Sequence, residues 1–145
     1  MKIVANVLPG VSKVYPGPSG LGRRIIFTED LVLVSIDGNP QPAQTPGGTH
    51  SGFVTVVREP TANDNFFPNE ELIHQDAVYL FDTATGNLPA ALPRGQVTVN
   101  GMLWFPKPAT RTFAITGGTG HYALARGQVT ESGPNGSIRT LDITL

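Results

Sequence analysis

Glu29 and Asp30 interrupt an apolar run, with Ile25-Ile26-Phe27 before them and Leu31-Val32-Leu33-Val34 after. Neighbours on an extended chain point to opposite faces, so one of the two carboxylates faces inward if the strand runs straight. An inward carboxylate is costly unless paired or hydrogen-bonded, and a paired one is a candidate acid–base group. A bulge or strand end would place both in solvent instead. A second polar centre is His74-Gln75-Asp76, followed by Tyr79 and Asp82. His74, Asp76 and Asp82 share one face of an extended chain and Tyr79 takes the other. A buried His/Asp pair can poise a proton transfer, whereas on a wet face the same residues are ordinary surface. Arg126 stands beside Gly127 and shares an extended-chain face with Tyr122 and Leu124. Facing inward, it would need an acid, with Glu29, Asp30 and Asp76 the candidates, and it could orient a ligand oxygen. The alternative is a structural ion pair to a neighbouring strand. Trp104 and Tyr122 offer either aromatic walls for a ligand or plain core packing.

Other chemistries find little support. The chain has no cysteine, which removes thiolate nucleophiles, disulfides and Cys-ligated metals. His50, His74 and His121 lie in three separate segments without ligand spacing, so no metal is expected. Ile115-Thr116-Gly117-Gly118-Thr119-Gly120 invites a phosphate-loop reading, but no Lys-Ser or Lys-Thr follows it. Only 25 residues remain after Gly120, too few to complete a doubly wound sheet. The glycines read instead as a tight hairpin turn.

The elements that must position these residues are strands. The 145 residues are 39% hydrophobic, with 17 Gly and 13 Pro spread between apolar runs as turn signals. Eight runs show period two: Lys2–Leu8, Arg24–Ile36, Gly52–Arg58, Leu72–Phe81, Gln96–Phe105, Arg111–Thr116, Tyr122–Thr130 and Ser137–Leu145. Two long connections, Asn39–Thr49 and Glu59–Glu71, are natural lids if they lie at a barrel mouth. Local connections between eight short strands suit an up-and-down barrel or a sandwich.

The run Phe113-Ala114-Ile115-Thr116-Gly117-Gly118-Thr119-Gly120-His121-Tyr122-Ala123-Leu124-Ala125-Arg126-Gly127-Gln128-Val129 closely resembles the signature hairpin of allene oxide cyclases and dirigent proteins. That signature is a strand, a GGTG or GGSG turn, an aromatic residue two positions on, an ARG-type triplet and a second strand. Gly48-Thr49-His50-Ser51-Gly52-Phe53 and Gly95-Gln96-Val97-Thr98-Val99-Asn100-Gly101 resemble two upstream strands of the family, in the right order. The resemblance implies an eight-stranded calycin-like barrel, often oligomeric, with a ligand cavity, and it puts Arg126 at the Arg of the motif. Family activities include rearranging an unstable fatty-acid epoxide, steering the coupling of phenoxy radicals and, in bacterial relatives, cyclising polyketides. The first-strand Glu of the cyclases has no counterpart here, where that strand carries Asn6, and a secretory signal like that of plant dirigent proteins is not expected from Met1–Gly10.

The expectation is an all-β, eight-stranded antiparallel calycin-like barrel, with residues 1–145 as one domain. The expected function is a small-molecule cyclase or isomerase, or a stereochemical guide, acting on a reactive apolar substrate without metal, nucleotide or other cofactor. Candidate catalytic residues are Arg126, Glu29 and Asp76. Candidate substrate-binding residues are Tyr122, Trp104, His74 and Tyr79. A non-catalytic ligand-binding barrel and a side-chain-filled structural barrel are the alternatives, and a polar cluster on a cavity wall would favour catalysis. Expected partners are a small apolar organic molecule and further copies of the chain, as a dimer or trimer. A formal net charge of −1 gives no reason to expect nucleic acid or an anionic membrane. No run approaches the roughly 18 apolar residues of a membrane span. Met1–Gly10 is too short for a signal-peptide core, so the expected compartment is the cytoplasm.

Overall fold

β-Branched and aromatic residues at alternate positions, cut by Gly and Pro, favour strands over helices. The computed structural model describes residues 1–15, 21–58, 71–82, 87–105 and 110–145, apart from the side chains of Pro9, Glu71, Trp104, Phe105 and Asn135. The strands in chain order are β1 Lys2–Tyr15, β2 Arg24–Ile36, β3 Asn39–Pro40, β4 Pro46–Arg58, β5 Glu71–Phe81, β6 Gly95–Phe105, β7 Arg111–Gly120, β8 Arg126–Ser132 and β9 Ile138–Thr144. All pairings are antiparallel. The order is β1-β9-β8-β7-β6-β5-β4-β2, and β1 also pairs with β2, which closes an eight-stranded barrel. The short β3 only clips onto the end of β2, with Pro40 opposite Ser35. Among the described residues the one helical element is a 3₁₀ turn at Pro134–Gly136.

The expected all-β barrel is therefore the observed fold, and the differences lie at element ends. β1 does not stop at Pro9-Gly10 but continues to Tyr15, with a register shift against β2 between Leu8 and Val11. Proline has no N–H for the ladder, and a bulge is where a strand tolerates it. Gly10 is needed there, because a Cβ would sit 1.7 Å from the Thr28 carbonyl oxygen. The Asn39–Thr49 connection is not a mouth lid, since β3 and the start of β4 take up much of it. Residues 59–70 of the second long connection lie outside the described residues. The GGTG segment is the end of β7; the turn falls on His121–Leu124 and β8 starts only at Arg126. Gly118 permits this close approach, where a Cβ would lie 2.1 Å from the Gln96 carbonyl oxygen.

Inward positions follow the two-residue alternation. At the end where β2 finishes and β6 begins, Ile3, Leu31, Leu33, Phe81, Val97, Leu141 and Ile143 are buried together. Tyr122, on the turn before β8, plugs this end against Phe81, with ring centroids 5.1 Å apart. Its hydroxyl donates to the Pro93 carbonyl at 3.0 Å. Toward the opposite end, the same inward positions carry charge.

Candidate functional site

The second half of the interior is open, as a cavity of about 420 Å³. That volume lies within the range of small-molecule sites. Ile25, Phe27, Val54, Val56 and Ile73 give it an apolar wall. The polar side chains come from around the barrel: Ser12 of β1, Arg23 just before β2, Glu29 of β2, His50 of β4, Gln75 of β5, Arg111 of β7, Glu131 of β8 and Arg139 of β9.

Strand register brings these groups together. Glu29 stands opposite His50, Arg111 opposite Glu131, and Glu131 opposite Arg139. Directly opposed side chains on one face are within contact distance, so each pairing is built into the ladder. Glu131 Oε2 pairs with Arg111 Nη2, and its Oε1 lies 3.3 Å from Arg139 Nε. Gln75 Nε2 reaches the same Oε1 at 3.5 Å. Arg139 Nη2 then donates to Glu29 Oε2 at 3.4 Å. His50 Nδ1 donates to that oxygen at 3.0 Å. The result is one chain of contacts, His50–Glu29–Arg139–Glu131–Arg111, with two carboxylates balancing two guanidiniums. Buried ion pairs barely repay their desolvation, and apolar residues of equal size often do as well, so stability alone does not call for them.

His50 is the most enclosed member of the cavity wall, at 1% exposure. Its ring stacks on Tyr79, with centroids 4.3 Å apart and planes inclined by 12°, and meets Phe27 at 4.9 Å. Burial pulls the imidazole below its ordinary 6.5, outweighing the opposing pull of the Glu29 hydrogen bond. The ring is therefore neutral at pH 7. With its Nδ1 proton given to Glu29, Nε2 keeps the lone pair, and no partner is found for it among the described residues. Burial also pushes the Tyr79 phenol well above its ordinary 10, against the opposing pull of the Arg139 guanidinium.

No protein-family profile and no curated protein sequence matches the chain. Among solved structures, similar folds include a pyocyanin demethylase, at 23% identity and a TM-score of 0.59 over 99% of this chain and 98% of that one. A second is a pterocarpan synthase dirigent protein, at 16% identity and a TM-score of 0.61 over 99% of this chain and 85% of that one. The fold is a dirigent-like barrel. At these identities the likeness is one of architecture.

The residues singled out from the sequence fall in three places. Glu29 lies on the cavity wall, while Asp30 points out to solvent. Tyr79 is buried behind His50. His74 and Asp76 do not enter the cavity. They occupy outward positions of β5, where His74 Nδ1 lies 3.3 Å from Asp76 and Asn100 Nδ2 donates to His74 Nε2 at 2.9 Å and to Asp76. The inward residue between them is Gln75. Tyr122 packs the closed end and does not line the cavity. Arg126 is exposed, its Nη1 donating to the Ala125 carbonyl at 2.7 Å, and the expected inward pairing with an acid is not found. The cause is the turn at His121–Leu124, which breaks the face that a straight strand would have shared with Tyr122. The side chain of Trp104 lies outside the described residues.

Sequence reasoning did not single out His50, Gln75, Arg111, Glu131 or Arg139 as site residues. A signal existed in the phase of the alternation. Arg111 is in step with Phe113 and Ile115, Glu131 with Val129, and Arg139 with Leu141 and Ile143. A charge in phase with buried apolar residues is an inward charge.

Proposed function

We propose that the protein is an isomerase or cyclase of the allene oxide cyclase and dirigent group, which works without a cofactor by proton transfer on a small apolar molecule in the barrel cavity. The observation that carries this reading is the Glu29 carboxylate on the cavity wall, hydrogen-bonded at 3.0 Å to a buried, neutral His50. Glu29 takes a proton from the bound molecule or returns one to it. His50 Nδ1 and Arg139 Nη2 both hold Oε2, which fixes the carboxylate in one orientation. A positioned acid–base group of this kind contributes roughly 10²–10⁴-fold to rate. The apolar wall excludes water and holds the substrate in one geometry, which favours one product. The two similar structures support the coarser part of the reading, a small organic molecule held in the barrel, since their names denote a demethylase of pyocyanin and a dirigent protein that is a pterocarpan synthase.

Native mass spectrometry of protein purified from its own host should reveal the bound molecule. Incubated with the protein in D₂O, that molecule should give a product carrying solvent deuterium. Glu29→Gln should slow the incorporation by about 100-fold or more while binding persists. A ligand that binds the parent protein and never exchanges would reduce the barrel to a binding module.

A further inference from the structure

We infer that Gln75 selects the molecule held in this cavity: its side-chain carbonyl oxygen accepts a hydrogen bond from that molecule, which carries a neutral hydroxyl or N–H donor apart from the C–H that reacts. The inference rests on the cavity being the ligand site, as proposed above. Gln75 is the inward residue between Ile73 and Ala77 on β5, is 4% exposed, and lines the cavity. Its amide nitrogen reaches Glu131 Oε1 on β8 at 3.5 Å, although β6 and β7 separate the two strands. The amide group thus stands inside the barrel and not against its own wall.

Chemistry fixes the orientation of that amide. A carboxylate held by two guanidiniums accepts hydrogen bonds and offers none, so the nitrogen faces Glu131 and the carbonyl oxygen faces away. Glu131 is already met by Arg111 and Arg139, so it does not need the long amide contact. Among the described residues nothing donates to the Gln75 oxygen, and it is not one of the atoms sealed in the wall, as His50 Nε2 is. An amide carbonyl left unmet in an enclosed space is costly, so water or a ligand takes it. A ligand that displaces the water and brings a donor restores the bond, and one without a donor loses it. In the ladder Gln75 is level with Val54 and Ile25, while Glu29 is level with His50 and Tyr79, two inward positions further along β5. The donor and the reacting C–H are held at separate points, which fixes the direction in which the ligand lies. Ile25, Val54, Val56 and Ile73, at or next to the level of Gln75, take the apolar body. The ligand class is a neutral, largely apolar molecule with a hydroxyl or N–H at one end.

The test uses two probes of nearly the same shape, indole and benzofuran, the first with an N–H where the second has a ring oxygen. Each is titrated into the full chain and followed by NMR of the methyl and side-chain amide signals. The parent protein should bind indole about fivefold more tightly, as expected for one neutral hydrogen bond. Gln75→Met keeps much of the volume and removes the acceptor; it should abolish the preference while benzofuran binds as before. A residue that only supports Glu131 would change both affinities alike. If circular dichroism shows that the Met variant does not fold, the Gln75 side-chain amide signals of the parent decide: indole should move them well beyond what benzofuran does. Equal affinity for the two probes would overturn the inference and leave the cavity reading standing. So would a preference intact in a folded Gln75→Met protein, or amide signals that respond equally to both probes. If neither probe binds the parent, the cavity reading falls and the inference falls with it.

Discussion

The two halves of the barrel interior stand on the same strands and the same alternation, yet one is packed and the other is open. In the closed half the inward residues are apolar, and Phe81 and Tyr122 fill the space. In the open half polar and charged side chains occupy the equivalent positions and line a cavity. Some pair with the residue directly opposite in the ladder, Glu29 with His50 and Glu131 with both Arg111 and Arg139. Others reach between strands that are not neighbours, Arg139 to Glu29 past β1 and Gln75 to Glu131. The contrast teaches how one barrel serves two ends: apolar side chains fill one, and a network of ion pairs and hydrogen bonds lines the cavity at the other.

The largest effect should come from the hub of the open half. Glu131→Leu takes the acid from buried Arg111 and leaves Arg139 with Glu29 alone, and should cost within the ~3–5 kcal/mol seen when one member of a buried pair is removed. A urea titration measures it; a loss under about 1 kcal/mol would mean that the network is solvated and that the halves differ less than described. Next in size is Phe81→Ala in the closed half, expected to cost about 3–4 kcal/mol through the cavity it leaves. Val56→Ala, whose side chain borders space already open, should cost clearly less. Equal losses at the two positions would show both halves to be packed alike.

A smaller effect follows from His50. Unfolded, its imidazole takes up a proton as pH falls through 6.5; folded, it resists until lower pH, because burial holds its pKa down. The unfolded state then binds more protons, so stability is lost as pH drops below 6.5 and is untouched by this group above it. Urea midpoints at pH 8 and pH 5 should show a drop that is reduced in His50→Gln. A variant with the same drop as the parent would place the titration elsewhere. The weakest expected effect concerns the surface. Val11, Val14, Leu21 and Ile26 are exposed at 80, 56, 48 and 46%, all on or beside the β1–β2 strands at the open end. Exposed apolar groups so gathered favour self-association into a dimer or trimer. Light scattering that finds only a 15.4 kDa species at micromolar concentration would contradict this.

The barrel was legible in the sequence because period two and Gly/Pro punctuation are local properties. Glu29 was legible for the same reason, as a carboxylate set inside an apolar run. Arg126 misled because its expected face depended on a straight strand through Tyr122, where the chain turns. Asp76 and His74 misled because alternation tells which residues share a face but not which face is inside. The network itself depends on the register between paired strands, which sets Glu131 opposite Arg111 and Arg139, and on barrel closure, which brings Arg139 of β9 to Glu29 of β2. Closure joins strands far apart in sequence, which no local pattern announces.

The central claim is that small molecules bind in the open half and nowhere else in the barrel. Methyl-resolved NMR during titration with indole tests it most directly. The account predicts shifts confined to the methyls of Ile25, Val54, Val56 and Ile73, with those of Ile3, Leu33, Leu141 and Ile143 unmoved. Shifts centred on the closed-half methyls or on the outward Val78, or no shift at any methyl, would contradict it.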